Sequence, residues 1–163
     1  MRLKHQSKDR KKKTKNRKNK QKHYYSGKKK KHTLKAQILV DKNKKKILKT
    51  DFSNGKKHDF RLFTESNINI NKDIKILADT GYLGINKIIK NSEIPHKKPK
   101  NKELTKDQKK ENRELSSERV VVENVIGSLK RFRVLSERYR NRRKRFGLRF
   151  NLIAGIYNFE LES

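Results

Sequence analysis

The chain has 163 residues, about one domain's worth, and 48 Lys and Arg against 17 Asp and Glu give a formal net charge of +31 with only 30% apolar residues. No apolar run reaches the roughly 18 residues of a membrane span, and residues 1–30 lack the apolar segment of a secretory signal. Zero Cys excludes a disulfide scaffold, thiolate zinc and cysteine catalysis. A cytoplasmic location is the expectation, and so large a charge calls for an anionic partner, most commonly nucleic acid.

In chain order, residues 1–32 hold 16 Lys and Arg, one acid (Asp9) and little apolar beyond Leu3, Tyr24 and Tyr25, a composition that predicts disorder. From Thr33 the pattern alternates: Leu34, Ala36, Ile38 and Val40 against Thr33, Lys35, Gln37 and Leu39. With a turn at Asp41–Lys44 and a returning strand at 47–52, this predicts a β-hairpin. His58-Asp59-Phe60-Arg61-Leu62-Phe63 opens a short helix, with Asp59 expected at its cap. Ile74, Ile76, Leu77 and Ala78 form a buried strand running into Asp79 and the turn Thr80-Gly81-Tyr82-Leu83-Gly84. That puts a carboxylate at the carboxyl edge of a sheet, where α/β proteins carry their chemistry. Residues 91–103, with Pro95 and Pro99, read as a loop, and Thr105-x-x-Gln108 as a capping box opening a helix. Val121, Val125, Leu129 and Phe132 recur at helical spacing, widened by Val122 and Ile126. Glu123 lies at the margin of this stripe, four residues after Arg119 and seven before Lys130. After a basic run from Arg138 to Arg149, Leu152, Ile153, Ile156, Tyr157 and Phe159 suggest a closing helix.

The residues alone therefore predict a basic α/β protein with two anchored carboxylates, Asp79 and Glu123. A pair of acids gathered by a fold holds Mg²⁺ or Mn²⁺, hard cations that take oxygen ligands and polarise phosphate. Plainer roles stand beside this one. A strand-end Asp more often serves a turn or cap, and a helical Glu four residues from an Arg more often makes a surface ion pair.

Four blocks in order carry a resemblance: Tyr24-Tyr25-Ser26-Gly27-Lys28-Lys29-Lys30-Lys31-His32-Thr33-Leu34-Lys35, Asn54-Gly55-Lys56-Lys57-His58-Asp59, Ala78-Asp79-Thr80-Gly81-Tyr82-Leu83-Gly84, and Arg119-Val120-Val121-Val122-Glu123-Asn124-Val125-Ile126-Gly127 with Leu129-Lys130. From about Tyr24 onward the chain resembles the IS5-like transposases of the DDE superfamily endonucleases. The resemblance implies an α/β, RNase H-like catalytic domain, with Asp79 as the second acid of the DDE triad and Glu123 as the third. Arg119 and Lys130 match the family's Y-x2-R-x3-E-x6-K signature, with Ser116 at the Tyr position and Lys130 expected on a phosphate.

The family's first acid, in a block like D-x-T-E-x-P-I-x-R-P, has no counterpart, and Asp9 stands in another context. The catalytic domain at 24–163 is thus expected to be incomplete, without its first strand, behind a disordered basic segment at 1–23. Synonymous codons for Met1–Lys12, read one base upstream, spell D-E-T-E-T-P-I-E-R-P-K-K, which points to an out-of-frame start. An intact relative would use two divalent metals about 4 Å apart for DNA strand cleavage and strand transfer at transposon ends. The resemblance admits a homo-oligomer for such a relative.

This chain alone is expected to be inactive while still binding DNA through Lys28, Lys29, Lys30, Lys31, Lys97, Lys98, Lys100, Arg119, Lys130 and the 140–145 run with Arg142 and Arg143. Asp59 is read as structural rather than as a metal partner of His58. Tyr82 is read as core, and Tyr24 and Tyr25 as stacking on bases or packing on the sheet. The competing class is a non-catalytic basic nucleic-acid-binding protein, favoured if Asp79 and Glu123 stand more than about 10 Å apart.

Overall fold

The alternation from Leu34 to Val40 forms a strand that returns along Ile47–Asn54, because Asp41 Oδ1 accepts the backbone N–H of Asn43 (2.8 Å) and Lys44 (3.0 Å) and closes the turn. The computed structural model describes residues 24–26, 30–71, 73–137 and 143–163. The expected disorder of 1–23 lies outside these residues. Tyr25–Ser26 (β1) and Lys31–His32 (β2) pair antiparallel, Tyr25 opposite His32, so the expectation of disorder does not hold at these four positions.

The main hairpin joins β3 (Leu34–Val40) to β4 (Ile47–Asn54), with Leu34 opposite Asn54 and a register shift between Leu39 and Val40. Its two faces serve different neighbours. Ile38, Val40 and Phe52 pack into one apolar cluster, while Lys35 and buried Gln37 face the opposite way.

Helix α1 spans Asp59–Glu65 and buries Leu62 and Phe63. Its cap differs from the expected one: His58 is the N-cap residue and makes no side-chain cap bond, and Asp59 is already inside the first turn. The strand before Asp79 is also shorter than expected. Only Ile76–Leu77 (β5) is paired, Ile74 being 54% exposed, and β5 runs parallel to Ser92–Glu93 (β6) inside the stretch expected to be loop. Two 3₁₀ turns connect them, Thr80–Tyr82 and Ile85–Lys87, the second entered through Gly84 at φ 99°.

Helix α2 runs from Lys106 to Lys130, about 37 Å long. The expected capping box is complete: Thr105 Oγ1 accepts the Gln108 N–H and Gln108 Oε1 accepts the Thr105 N–H. Only Val125 and Leu129 are buried on it. Phe132 lies beyond its end, 38% exposed, so the helical stripe stops before it. After the single turn α3 (Arg133–Ser136) and a 3₁₀ turn at Arg143–Arg145, α4 covers Phe146–Glu160 and so begins six residues before the expected apolar stretch.

The core is divided in two. One cluster gathers Ile47, Val125, Leu129, Phe150, Ile153 and Ala154, so it joins β4, α2 and α4. Phe52 meets Phe146 and Phe150 edge-on at 5.7 and 5.3 Å, and Asn158 clasps both the N–H and C=O of Ile47. The other gathers Phe63, Ile76 and Ile85 around α1, β5 and the 3₁₀ turns. Among the described residues the strands form three two-stranded sheets, and β3 and β5 are not paired with each other. A cleft lies between them, lined by Thr33–Leu39 on one side, Ile76–Asp79 on the other, and by Val122, Ile126, Leu129 and Phe150.

Candidate active site

Asp79 ends β5 and caps the 3₁₀ turn that follows. Its Oδ1 accepts the Thr80 N–H at 2.7 Å and the Thr80 hydroxyl at 3.3 Å, and the Tyr82 N–H returns to the Asp79 carbonyl at 2.8 Å. The plain capping role is therefore real. It occupies one carboxylate oxygen and leaves the side chain 57% exposed at the cleft.

Glu123 stands on α2 one turn after Arg119, and the guanidinium of Arg119 reaches both acids. NH1 is 3.5 Å from Asp79 Oδ1 and NH2 is 4.0 Å from Glu123 Oε1. The two nitrogens of a planar guanidinium are fixed about 2.3 Å apart, so the two carboxylate oxygens are separated by no more than about 10 Å. Residues 44 positions apart in sequence thus converge on one cation. Arg119 is 26% exposed and Glu123 64%, so the pair sits at a rim rather than in an interior.

Lys130 is exposed at the end of α2 and lines the same cleft as Asp79 and Arg119. Lys30 is exposed, with a left-handed backbone at φ 48°. Arg143 lays its guanidinium over the Tyr24 ring at 4.3 Å, and Tyr25 meets His32 edge-on at 5.8 Å. The expected DNA contacts at Lys28, Lys29 and Arg142 lie outside the described residues.

Tyr82 is core-packed, as expected, but it also faces the acids. Its hydroxyl donates to Gln37 Oε1 at 3.2 Å, and burial, then the negative charges of Asp59 and Asp79, push it up to about 12. Lys35, Asp59 and Gln37 line the cleft and were not singled out as site residues from the sequence. Lys35 ends the first resemblance block and Asp59 ends the second, a signal that spacing alone does not interpret.

The donor chemistry suits a hard cation: two carboxylates, both solvent-accessible, share one positive neighbour, and oxygen is the ligand that Mg²⁺ and Mn²⁺ take. Among the described residues no three His, Cys, Asp or Glu side chains gather closely enough to hold a metal. Also among them, no helix is long and apolar enough to cross a membrane.

Comparison with known proteins identifies a family. The family model described as DDE superfamily endonuclease matches residues 9–158, reaching upstream of Tyr24, where the resemblance was expected to start. The probable transposase for insertion sequence element IS702 of Microchaete diplosiphon is 52% identical over 141 residues, which cover 86% of this chain and 51% of that relative. The chain thus spans about half the length of the curated relative it matches. No solved structure matches. A family match over nearly the whole chain and a relative at this identity lead to one conclusion: the chain belongs to the DDE superfamily endonucleases.

Proposed function

We propose that this chain forms the catalytic part of an IS5-like DNA transposase of RNase H-like fold, in which Asp79 and Glu123 are two of the acids that hold Mg²⁺ or Mn²⁺. The observation that carries this reading is the convergence of both carboxylates on Arg119. When bound, such an ion polarises a phosphoryl oxygen and lowers the pKa of a water or hydroxyl nucleophile.

The chain's own residues do the rest. The Thr80 N–H fixes Asp79 Oδ1, and Arg119 balances the charge of two acids that would otherwise repel. Arg119 and Lys130, which line the same cleft, would offer two cationic contacts to a DNA phosphate lying along it. The first acid of the triad, on this reading, has no counterpart among the described residues. Among the described residues β3 and β5 each have one strand partner, and an open edge beside the cleft suits a segment entering as an added strand.

Mn²⁺ titration followed by electron paramagnetic resonance tests the site. Asp79→Asn and Glu123→Gln should each weaken binding at least ~10-fold, since second-sphere changes alone cost that much. Mn²⁺ affinity unchanged in both variants would sink the metal reading and return the chain to the class of non-catalytic DNA binders. DNA affinity should fall steeply with salt and be indifferent to sequence.

A further inference from the structure

The ends of two sequence blocks meet a third beside Asp79. Lys35 Nζ pairs with Asp59 Oδ1 at 2.8 Å and donates to the Lys57 carbonyl at 2.5 Å, so β3 grips the entry to α1 at two points. The other oxygen of Asp59 lies against the turn that Asp79 caps: a Cβ on Gly81 would stand 3.0 Å from Asp59 Oδ2 and 3.6 Å from its Cβ. Gly81 has no left-handed backbone that would itself require glycine. The need for a bare Cα there comes from the carboxylate.

We infer that Lys35 and Asp59 are positioning residues that clamp the Asp79-Thr80-Gly81 turn and so fix the direction of the Asp79 carboxylate. The geometry explains why this turn needs help. Asp79 follows a strand of two paired residues and is held locally by bonds to Thr80 and Tyr82. Such short elements have little rigidity of their own. Asp59 is anchored through Lys35 to the seven-residue strand β3, whose partner β4 packs on the larger core. The clamp transmits that rigidity to Asp79, 20 residues further along the chain than Asp59. This inference rests on the reading of Asp79 as a working carboxylate.

A double-mutant cycle in the full-length ¹⁵N-labelled chain tests it, read by solvent exchange of the Tyr82 amide, which bonds the Asp79 carbonyl. Gly81→Ala forces the carboxylate away, and Asp59→Ala removes it, and each should speed exchange about 10-fold. The double variant should be no faster than Asp59→Ala alone, because both changes break one contact. Asp59→Asn, which keeps the shape but weakens the ion pair with Lys35, should also speed exchange, and Lys35→Arg, which keeps the pair, should leave it slow. A contact acting by packing alone would leave Asp59→Asn at the unsubstituted rate. Rates that multiply independently in the double variant, or exchange untouched by Asp59→Asn, would overturn the clamp. Failure of the metal reading shows separately, as absence of Mn²⁺ broadening at Thr80 in the unsubstituted chain, and does not alter the exchange cycle.

Discussion

Glu123 and Asp79 stand on supports of very different build. Glu123 rides on a 25-residue helix with a complete capping box, and Val125 and Leu129, two and six positions on, are 1% and 3% exposed in the larger cluster. Asp79 follows two paired residues and opens a three-residue 3₁₀ turn, over a cluster whose buried members are Phe63, Ile76 and Ile85. A long helix orients its side chains through its own backbone bonds, whereas a turn borrows its orientation from neighbours. Glu123 is thus carried by one long element and Asp79 by a short one closed through Thr80 and Tyr82, with Arg119 spanning the two.

Emptying each cluster in turn should separate the two supports. Ile85 is 1% exposed, and Ile85→Ala should cost about 3 kcal/mol. Because its cluster is small, the loss should appear first as release of the α1 and β5 region, with helix α2 persisting. Val125→Ala should cost about 2 kcal/mol and unfold the hairpin and both long helices together. Urea denaturation followed by circular dichroism and by tyrosine fluorescence separates these outcomes: coincident transitions for Ile85→Ala would show that the two regions are one cooperative unit.

Tyr82 joins the regions and makes the contrast pH-dependent. Its folded pKa of about 12 lies above an unfolded value near 10, so the folded state holds the proton more tightly. The stability this supplies is complete below pH 10 and is lost as the pH rises toward 12. Tyr82→Phe should remove that high-pH component from an ultraviolet tyrosinate titration. It should also cost about 1–2 kcal/mol at neutral pH, because Gln37, 8% exposed, loses the donor to its Oε1.

Thr105→Ala removes one arm of the capping box and should destabilise α2 by about 1 kcal/mol, measured as a drop in thermal midpoint. Arg119→Gln should have the smallest effect on folding, under ~1 kcal/mol, since its ion pairs are long and partly exposed. The same change should nevertheless perturb the side-chain carboxyl resonances of both Asp79 and Glu123 in nuclear magnetic resonance spectra at fixed pH. A change at only one of them would show that the two acids do not share this cation.

Where local chemistry suffices, the sequence was legible. The alternation at 34–40, the Asp41 turn, the helix at 59–65 and the capping box at Thr105 all lie where residue pattern put them, because each depends on neighbours within a few positions. Misplaced features depend on distant partners. His58 rather than Asp59 is the N-cap residue, and Asp59 pairs instead with Lys35, 24 positions earlier. β6 was missed within a proline-containing stretch because its strand character comes only from pairing with β5. Phe132 matched the helical period but falls past the last turn.

Charge, periodicity and motif spacing are written along one dimension, so the residues in order suffice for a strongly basic chain, its hairpin and long helix, and two acids in blocks resembling a transposase. It takes the folded molecule to show that Asp79 and Glu123 share one guanidinium, that Tyr82 bridges to Gln37, and that Lys35 pairs with Asp59 beside the Asp79 turn. Those contacts join residues far apart in the chain, and their geometry is set by how the two clusters pack rather than by any local preference.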